Sequence, residues 1–341
     1  MRLKPVTAAP VVTALLGALA LAALPGLTGC AQPAAQGRTG TEATRHHAAP
    51  DPAGSVDLRG WITSYTDRIA QNGNYRIPAA GERRAIADGV RLLLDGDHAA
   101  SQRSLAKAGY TMRTLVDRDG GREFAEIADA TKDGETTRGW GRVYVDLRDT
   151  ARWQVQVPHP AADLRTEQLG IGLLRSSPGG VLILAGAHRG AGAGAVGGEG
   201  EEGAGSGPAD VAHRSDSVFD AVASALADRR MPAVQVHGFA DSSLPDHDVV
   251  VSPGKGDDGL PAARRLAAGL RKQQLRVCEV WQRYCGRLEG RTNVQGDHAD
   301  AVGVPFVHVE HNRRVRMSDE LVAKAVRALA EVTKRWGAGR G

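Results

Sequence analysis

The chain reads as an α/β protein with a largely parallel or mixed sheet covered by helices on both faces. Three observations predict this. From Trp153 onward short apolar runs alternate with helical stretches, the pattern of strands linked by crossover helices. Residues 56–150 mix helices and strands in a smaller α+β subdomain that carries no chemical constellation. The first thirty residues follow a processing pattern and not a folding one.

The leader comes first. Arg2 and Lys4 form a positive start, Val11 to Leu24 is almost all Ala, Leu, Val and Gly, and the segment closes on Leu27-Thr28-Gly29-Cys30. That run is short for a membrane span and fits a signal segment. Its end resembles the lipobox of bacterial lipoproteins, which implies a signal peptide of 1–29, lipid on Cys30 and a location on the extracytoplasmic face of the cell membrane. Residues 30–55, rich in Ala, Gly, Thr, Pro and His without apolar periodicity, read as a flexible tether.

Roughly 285 residues remain, enough for one large domain or two small ones. The formal net charge is +4, and two of those charges are Arg2 and Lys4 of the leader. Arg and Lys are scattered among acids, so nothing points to nucleic acid. Beyond Cys30 only Cys278 and Cys285 are left. In an oxidising compartment so close a pair fits a local disulfide, the alternative being two buried thiols.

The elements follow in order. Residues 81–94 have helical spacing, which 101–107 extends, and 110–116 and 141–147 read as strands. Strands at 153–157, 181–184, 233–236 and 306–309 alternate with helices at 162–175, 217–228, 260–274 and 319–335, making 151–338 the larger domain. The insertion 190–208, Gly-, Ala- and Glu-rich, cannot bury a core and reads as a surface loop.

Chemistry-bearing residues fall at the ends of the predicted strands. His159, His188 and His237 close three of them and Glu310 the fourth. In open α/β sheets the ligand crevice lies outside the carboxyl ends of the strands, so these residues should converge. A helix starting near Ala161 would put Asp163 and Glu167 on one face beside His159. His159, one of those carboxylates and a distant histidine make the His₂–carboxylate set of zinc hydrolases, with Glu310 as the acid/base. Asp163 as a helix cap and Glu167 as a first-turn charge are the plain alternatives.

His159 to Glu167 resembles the opening His–carboxylate–Thr tract of phage-type poly-γ-glutamate hydrolases. Ala212-His-Arg-Ser-Asp216, Val236-His-Gly238 and Val307 to Arg316 resemble that family's later motifs, in order, across about Trp153 to Ala330. The resemblance implies a carboxypeptidase-like three-layer αβα sandwich, akin to N-formylglutamate amidohydrolases. It implies His159, Asp163 and His237 as Zn²⁺ ligands and Glu310 as the catalytic carboxylate. The carboxylate spacing after His159 departs by one residue from the family pattern, so Glu167 stays an alternate, as do His188 and His213.

Arg189, Arg214, Arg291, Asn293 and Arg313 surround this set, and arginine forks suit an acidic peptide or acyl-amino-acid substrate. The expected activity is zinc-dependent amide hydrolysis at the envelope. The rivals are a non-catalytic lipid-anchored ligand or metal binder and an envelope structural protein. A serine hydrolase is disfavoured, since no Gly-x-Ser-x-Gly occurs.

Overall fold

Valine alternates with polar residues in Trp153-Gln-Val-Gln-Val157, Ala233-Val-Gln-Val-His-Gly-Phe239 and Phe306-Val-His-Val-Glu-His-Asn312. Successive side chains of a strand point to opposite faces, so each of these strands has one apolar and one polar face. A computed structural model describes residues 54–192 and 207–339. The leader, Cys30, the tether as far as residue 53 and residues 193–206 of the Gly-rich insertion lie outside the described residues.

The N-terminal part contains β1 (Ser55–Val56), α1 (Leu58–Thr66), α2 (Ala80–Leu94), α3 (His98–Ala106), β2 (Tyr110–Asp117), β3 (Glu123–Asp129), α4 (Gly134–Thr137) and β4 (Arg142–Asp146). Then come β5 (Trp153–Val157), α5 (Thr166–Ser176), β6 (Gly180–Leu184), α6 (Val218–Asp228), β7 (Ala233–Phe239) and β8 (Val249–Ser252). The chain ends with α7 (Leu260–Lys272), β9 (Val277–Glu279), α8 (Val294–Ala301), β10 (Phe306–Asn312), α9 (Arg313–Arg316) and α10 (Asp319–Gly337).

All strands join one ten-stranded sheet, ordered β1-β2-β3-β4-β6-β5-β7-β10-β8-β9. Strands β6, β5, β7 and β10 run parallel, while the β2–β3, β3–β4 and β4–β6 pairings are antiparallel. Residues 56–150, expected as a separate subdomain packing on or lidding the rest, instead extend the sheet edge to edge through the β4–β6 pairing.

Both faces are covered. Val155, Val157, Val234, Val236, Val307 and Val309 pack with Leu169, Leu266, Leu270 and Leu329 in one core. Val143, Val145, Val181 and Ile183 pack with Ile86, Val90, Phe219 and Val222 in another. Strand β6 supplies Leu182 and Leu184 to the first core and Val181 and Ile183 to the second, which is why it reads as an unbroken apolar run. The molecule is thus a three-layer α/β sandwich with a mixed, largely parallel sheet.

The chain leaves β5 to β6 on one side and returns with β7 on the other. Such a reversal of strand order opens a crevice at the carboxyl ends of the strands. His159 and His237 stand there.

Candidate metal centre

Pro158 cannot donate to the ladder, and β5 ends at Val157, so His159 is carried into a turn above the sheet. That turn is closed by the Asp163 amide donating to the His159 carbonyl at 2.8 Å. Arg165 adopts a left-handed φ of 68°, and α5 starts only at Thr166. Asp163 therefore precedes the helix and does not share a face with Glu167. Strand β7 brings His237, and β10 pairs with it in register so that Glu310 lies beside His237 on the same face.

His159, Asp163 and His237 are buried and offer three donor atoms within 4.8 Å of one another. Asp163 Oδ2 lies 3.5 Å from His159 Nδ1 and 3.4 Å from His237 Nδ1. The opposite nitrogens are engaged: His159 Nε2 is 2.8 Å from Asp210 Oδ1, and His237 Nε2 is 2.9 Å from Gln235 Oε1. Both partners are acceptors, so each histidine can keep a proton on Nε2 and still offer Nδ1 to a cation beside Asp163, whose Oδ2 also accepts from the Gly238 amide at 3.2 Å. His159 Nδ1 has no hydrogen-bond partner.

Two imidazole nitrogens and a carboxylate oxygen thus converge on one point, where a proton or a cation must sit among them. Bond lengths of about 2.0–2.2 Å around a tetrahedral ion put neighbouring ligand atoms about 3.3–3.5 Å apart. The observed separations match that spacing, so the residues fit a divalent cation. Carboxylate and amide acceptors behind the two histidines are also the support that such a centre usually has.

The electrostatics express the same demand. Burial works against charging His159, but the adjacent Asp163 and Asp210 carboxylates carry its pKa above the usual value. Burial pushes His237 down to about 4, leaving it neutral at pH 7. Against the effect of burial, His159 and His237 hold Asp163 well below the usual carboxylate range.

The cleft above encloses about 530 Å³ and is walled by residues 286–293, Arg189, His213, His308 and Glu310. Glu310 Oε1 lies 3.5 Å from His308 Nε2, while Oε2 has no partner. Arg189 and Arg291 line the cleft, each bonded to an acid: Arg189 to Asp210 at 2.9 Å, Arg291 to Glu289 at 2.7 Å. His213 reaches it too, with Nδ1 3.1 Å from Asp210. Cys278 and Cys285 are disulfide-bonded, and Cys285 immediately precedes the 286–293 wall.

Other expected residues stand elsewhere. Glu167 is buried in α5 and accepts from Gln168 at 2.9 Å, with burial raising its pKa. His188 accepts from the Gly190 amide and does not line the cleft. Arg214 is paired with Asp216, and Arg313 is exposed on α9; neither reaches the cleft. Asn293 lines the wall, but its amide nitrogen is turned inward to Gln235 and toward His237 Nε2 and His308 Nδ1. Arg316 donates to the carbonyls of Asp163, Leu164, Phe239 and His311, clamping the metal-side turn to β7.

Asp210 was not legible beforehand. It follows the Gly-rich insertion on no regular element, and only its contacts with His159, His213 and Arg189 reveal it.

No protein-family model matches the chain. No curated protein matches it either. Among solved structures the chain is similar to a bacteriophage poly-γ-glutamate hydrolase at 14% identity, covering 60% of this chain and 93% of that one, TM-score 0.38. It is similar to N-formylglutamate amidohydrolase from Ralstonia eutropha at 14% identity, covering 58% and 96%, TM-score 0.40. A metallo-carboxypeptidase from Pseudomonas aeruginosa matches at 12% identity, covering 71% and 68%, TM-score 0.35. These are the branch that the short motifs resemble; their identity is too low to carry residue roles across.

Proposed function

We propose that the protein is a zinc-dependent amide hydrolase acting on acidic peptides or acyl-amino acids at the cell envelope. The observation that carries this reading is the convergence of His159, Asp163 and His237 on the cleft floor, with the Glu310 carboxylate on the neighbouring strand. When bound there, Zn²⁺ supplies Lewis acidity that polarises an amide carbonyl and makes water more acidic. Glu310, with Oε2 unpartnered, takes the proton from the attacking water and delivers it to the leaving amine nitrogen. Arg291, at the cleft wall, offers a guanidinium to a substrate carboxylate.

Zinc analysis and hydrolysis of a panel of acidic peptides, γ-glutamyl peptides and N-acyl-amino acids test this. His237→Ala should lose both metal and turnover. Glu310→Gln should keep zinc and lower kcat by about 100-fold or more, the scale of lost acid–base help. Absence of stoichiometric zinc from the native protein would remove the reading. Full turnover in Glu310→Gln would remove Glu310 as the base.

We also propose attachment of the chain to the outer face of the cell membrane through lipid on Cys30, on the strength of Leu27-Thr28-Gly29-Cys30. No helix among the described residues is long and apolar enough to cross a membrane. Cys30→Ser should move the protein out of the membrane fraction or leave its signal uncleaved; cleavage with unchanged membrane retention would sink the anchor.

A further inference from the structure

His237 presents Nδ1 to Asp163 only while its other nitrogen keeps the proton. Nε2 faces Gln235 Oε1 at 2.9 Å, with the Asn293 amide nitrogen farther off at 3.4 Å, so what holds the Gln235 carboxamide in place weighs most. A carboxamide turned over would offer N–H instead of oxygen, and His237 would then carry its proton on Nδ1, against the cation position.

The orientation of Gln235 is set two residues deeper. Gln154 Nε2 lies 3.3 Å from the Ala223 carbonyl and 3.2 Å from that of Met231. Carbonyls only accept, so Gln154 must point its nitrogen outward to them and its oxygen toward Gln156. Gln156 then donates to Gln154 at 2.9 Å and accepts from Gln235 Nε2 at 2.9 Å. A second branch gives the same answer. Gln295 Nε2 donates to the Val211 carbonyl and to Asp220, each at 2.9 Å, leaving its oxygen to accept from Gln235 Nε2 at 3.0 Å.

Both N–H groups of Gln235 are thus used by two oxygens, and its own oxygen is left for His237 and Asn293. These four glutamines are almost fully buried, where no water competes for either end of an amide. Three long polar side chains on the sheet face below a cleft, with a fourth from α8, are costly to bury for packing alone.

We propose that Gln154, Gln156, Gln235 and Gln295 form a tautomer lock. They are positioning residues that keep the His237 proton on Nε2 and so present Nδ1 as a lone pair beside Asp163. Resting on the metal-site reading above, the lock makes His237 a ligand before any cation arrives.

The test uses the full-length chain, labelled with ¹⁵N in histidine and free of metal, with His237 assigned by difference from His237→Ala. Its imidazole nitrogen shifts should show a single Nε2–H tautomer. An Nδ1–H form or an exchanging mixture overturns the lock, whether or not the protein takes up zinc. Titration with zinc alone gives the second arm. Folded Gln235→Leu should bind about 10–100-fold more weakly, the range for lost support behind a ligand. Gln156→Leu or Gln295→Leu alone should weaken binding less, since each leaves one branch intact, and the double variant should approach Gln235→Leu. Unchanged zinc affinity in Gln235→Leu overturns the proposal. If Gln235→Leu does not fold, the wild-type shifts and the single variants decide. A native protein that binds no zinc but shows the single tautomer would remove the metal reading and leave the lock standing.

Discussion

Glu126 in β3 and Asp163 beside β5 are buried carboxylates in one sheet, and their surroundings differ in kind. Glu126 accepts from Trp61 Nε1 and Arg142 at 2.7 Å, from the Tyr144 hydroxyl at 2.9 Å, and from Arg113. Burial works to raise its pKa, but Arg142 and Arg113 hold it below the usual value. Asp129 with Arg138, Asp146 with Arg122 and Asp117 with Arg175 repeat the pattern across β2–β4. Around Asp163 the side-chain neighbours are two imidazole nitrogens and the backbone donor is the Gly238 amide, while His159 Nδ1, His308 Nε2 and Glu310 Oε2 have no hydrogen-bond partner. A buried charge met by guanidinium donors is structure; buried ring nitrogens and carboxylate oxygens without hydrogen-bond partners leave a place for a cation or a reacting group.

The largest stability effect should come from the saturated half. Glu126→Ala strands Arg142, only 6% exposed, with a single remaining acid at Glu135. It should cost about 3–5 kcal/mol in denaturant unfolding, the usual result of breaking a buried pair from one side. A loss under about 1 kcal/mol would erase the contrast, because that is the worth of an exposed pair.

Asp220 sharpens it from the other side. It is 8% exposed beneath the cleft half, has no arginine bonded to it, and burial pushes its pKa up to about 6. A raised carboxylate pKa favours the protonated native state, so its contribution is complete below about pH 4 and is lost as pH rises through 6. Asp220→Asn keeps an oxygen to accept from Gln295 and removes the titration. The variant should gain up to about 3 kcal/mol over wild type above pH 6 and nothing below pH 4. Parallel stability–pH curves for the two proteins would contradict this.

The smallest effect concerns the cleft rim. Arg291 is half-exposed and already paired with Glu289, so Arg291→Ala should raise KM for an acidic substrate by roughly tenfold or less, with zinc content unchanged. Arg313→Ala, outside the cleft, should change neither. Equal effects from both would mean that the cleft wall does not select the substrate.

How far each residue was legible depended on what surrounds it in sequence. His237 and Glu310 continue clean valine-alternating strands, and strand ends point to the crevice in this class of sheet. Strand β9 and helix α8 were not legible: Val277–Glu279 is three residues long, and Val294–Ala301 contains glycine and has no apolar stripe. Strand β3 and strand β8 were passed over as well, each recognisable chiefly through its partners in the sheet.

By itself the sequence determined the α/β class, the alternation that gives the sheet a valine face and a polar face, and the histidines and Glu310 at the strand ends. These are local matters of period and punctuation, which a short window contains. Only the tertiary structure put Asp163, and not Glu167, beside both histidines, because the left-handed Arg165 delays α5 and frees Asp163 to meet a histidine 74 positions away. Only it joined residues 56–150 to the main sheet, since edge pairing depends on strands remote in sequence. Asp210 and the glutamine chain belong to it as well. A hydrogen bond across 51 or 79 residues leaves no period in the chain, and its direction is set by carbonyls that folding alone brings near.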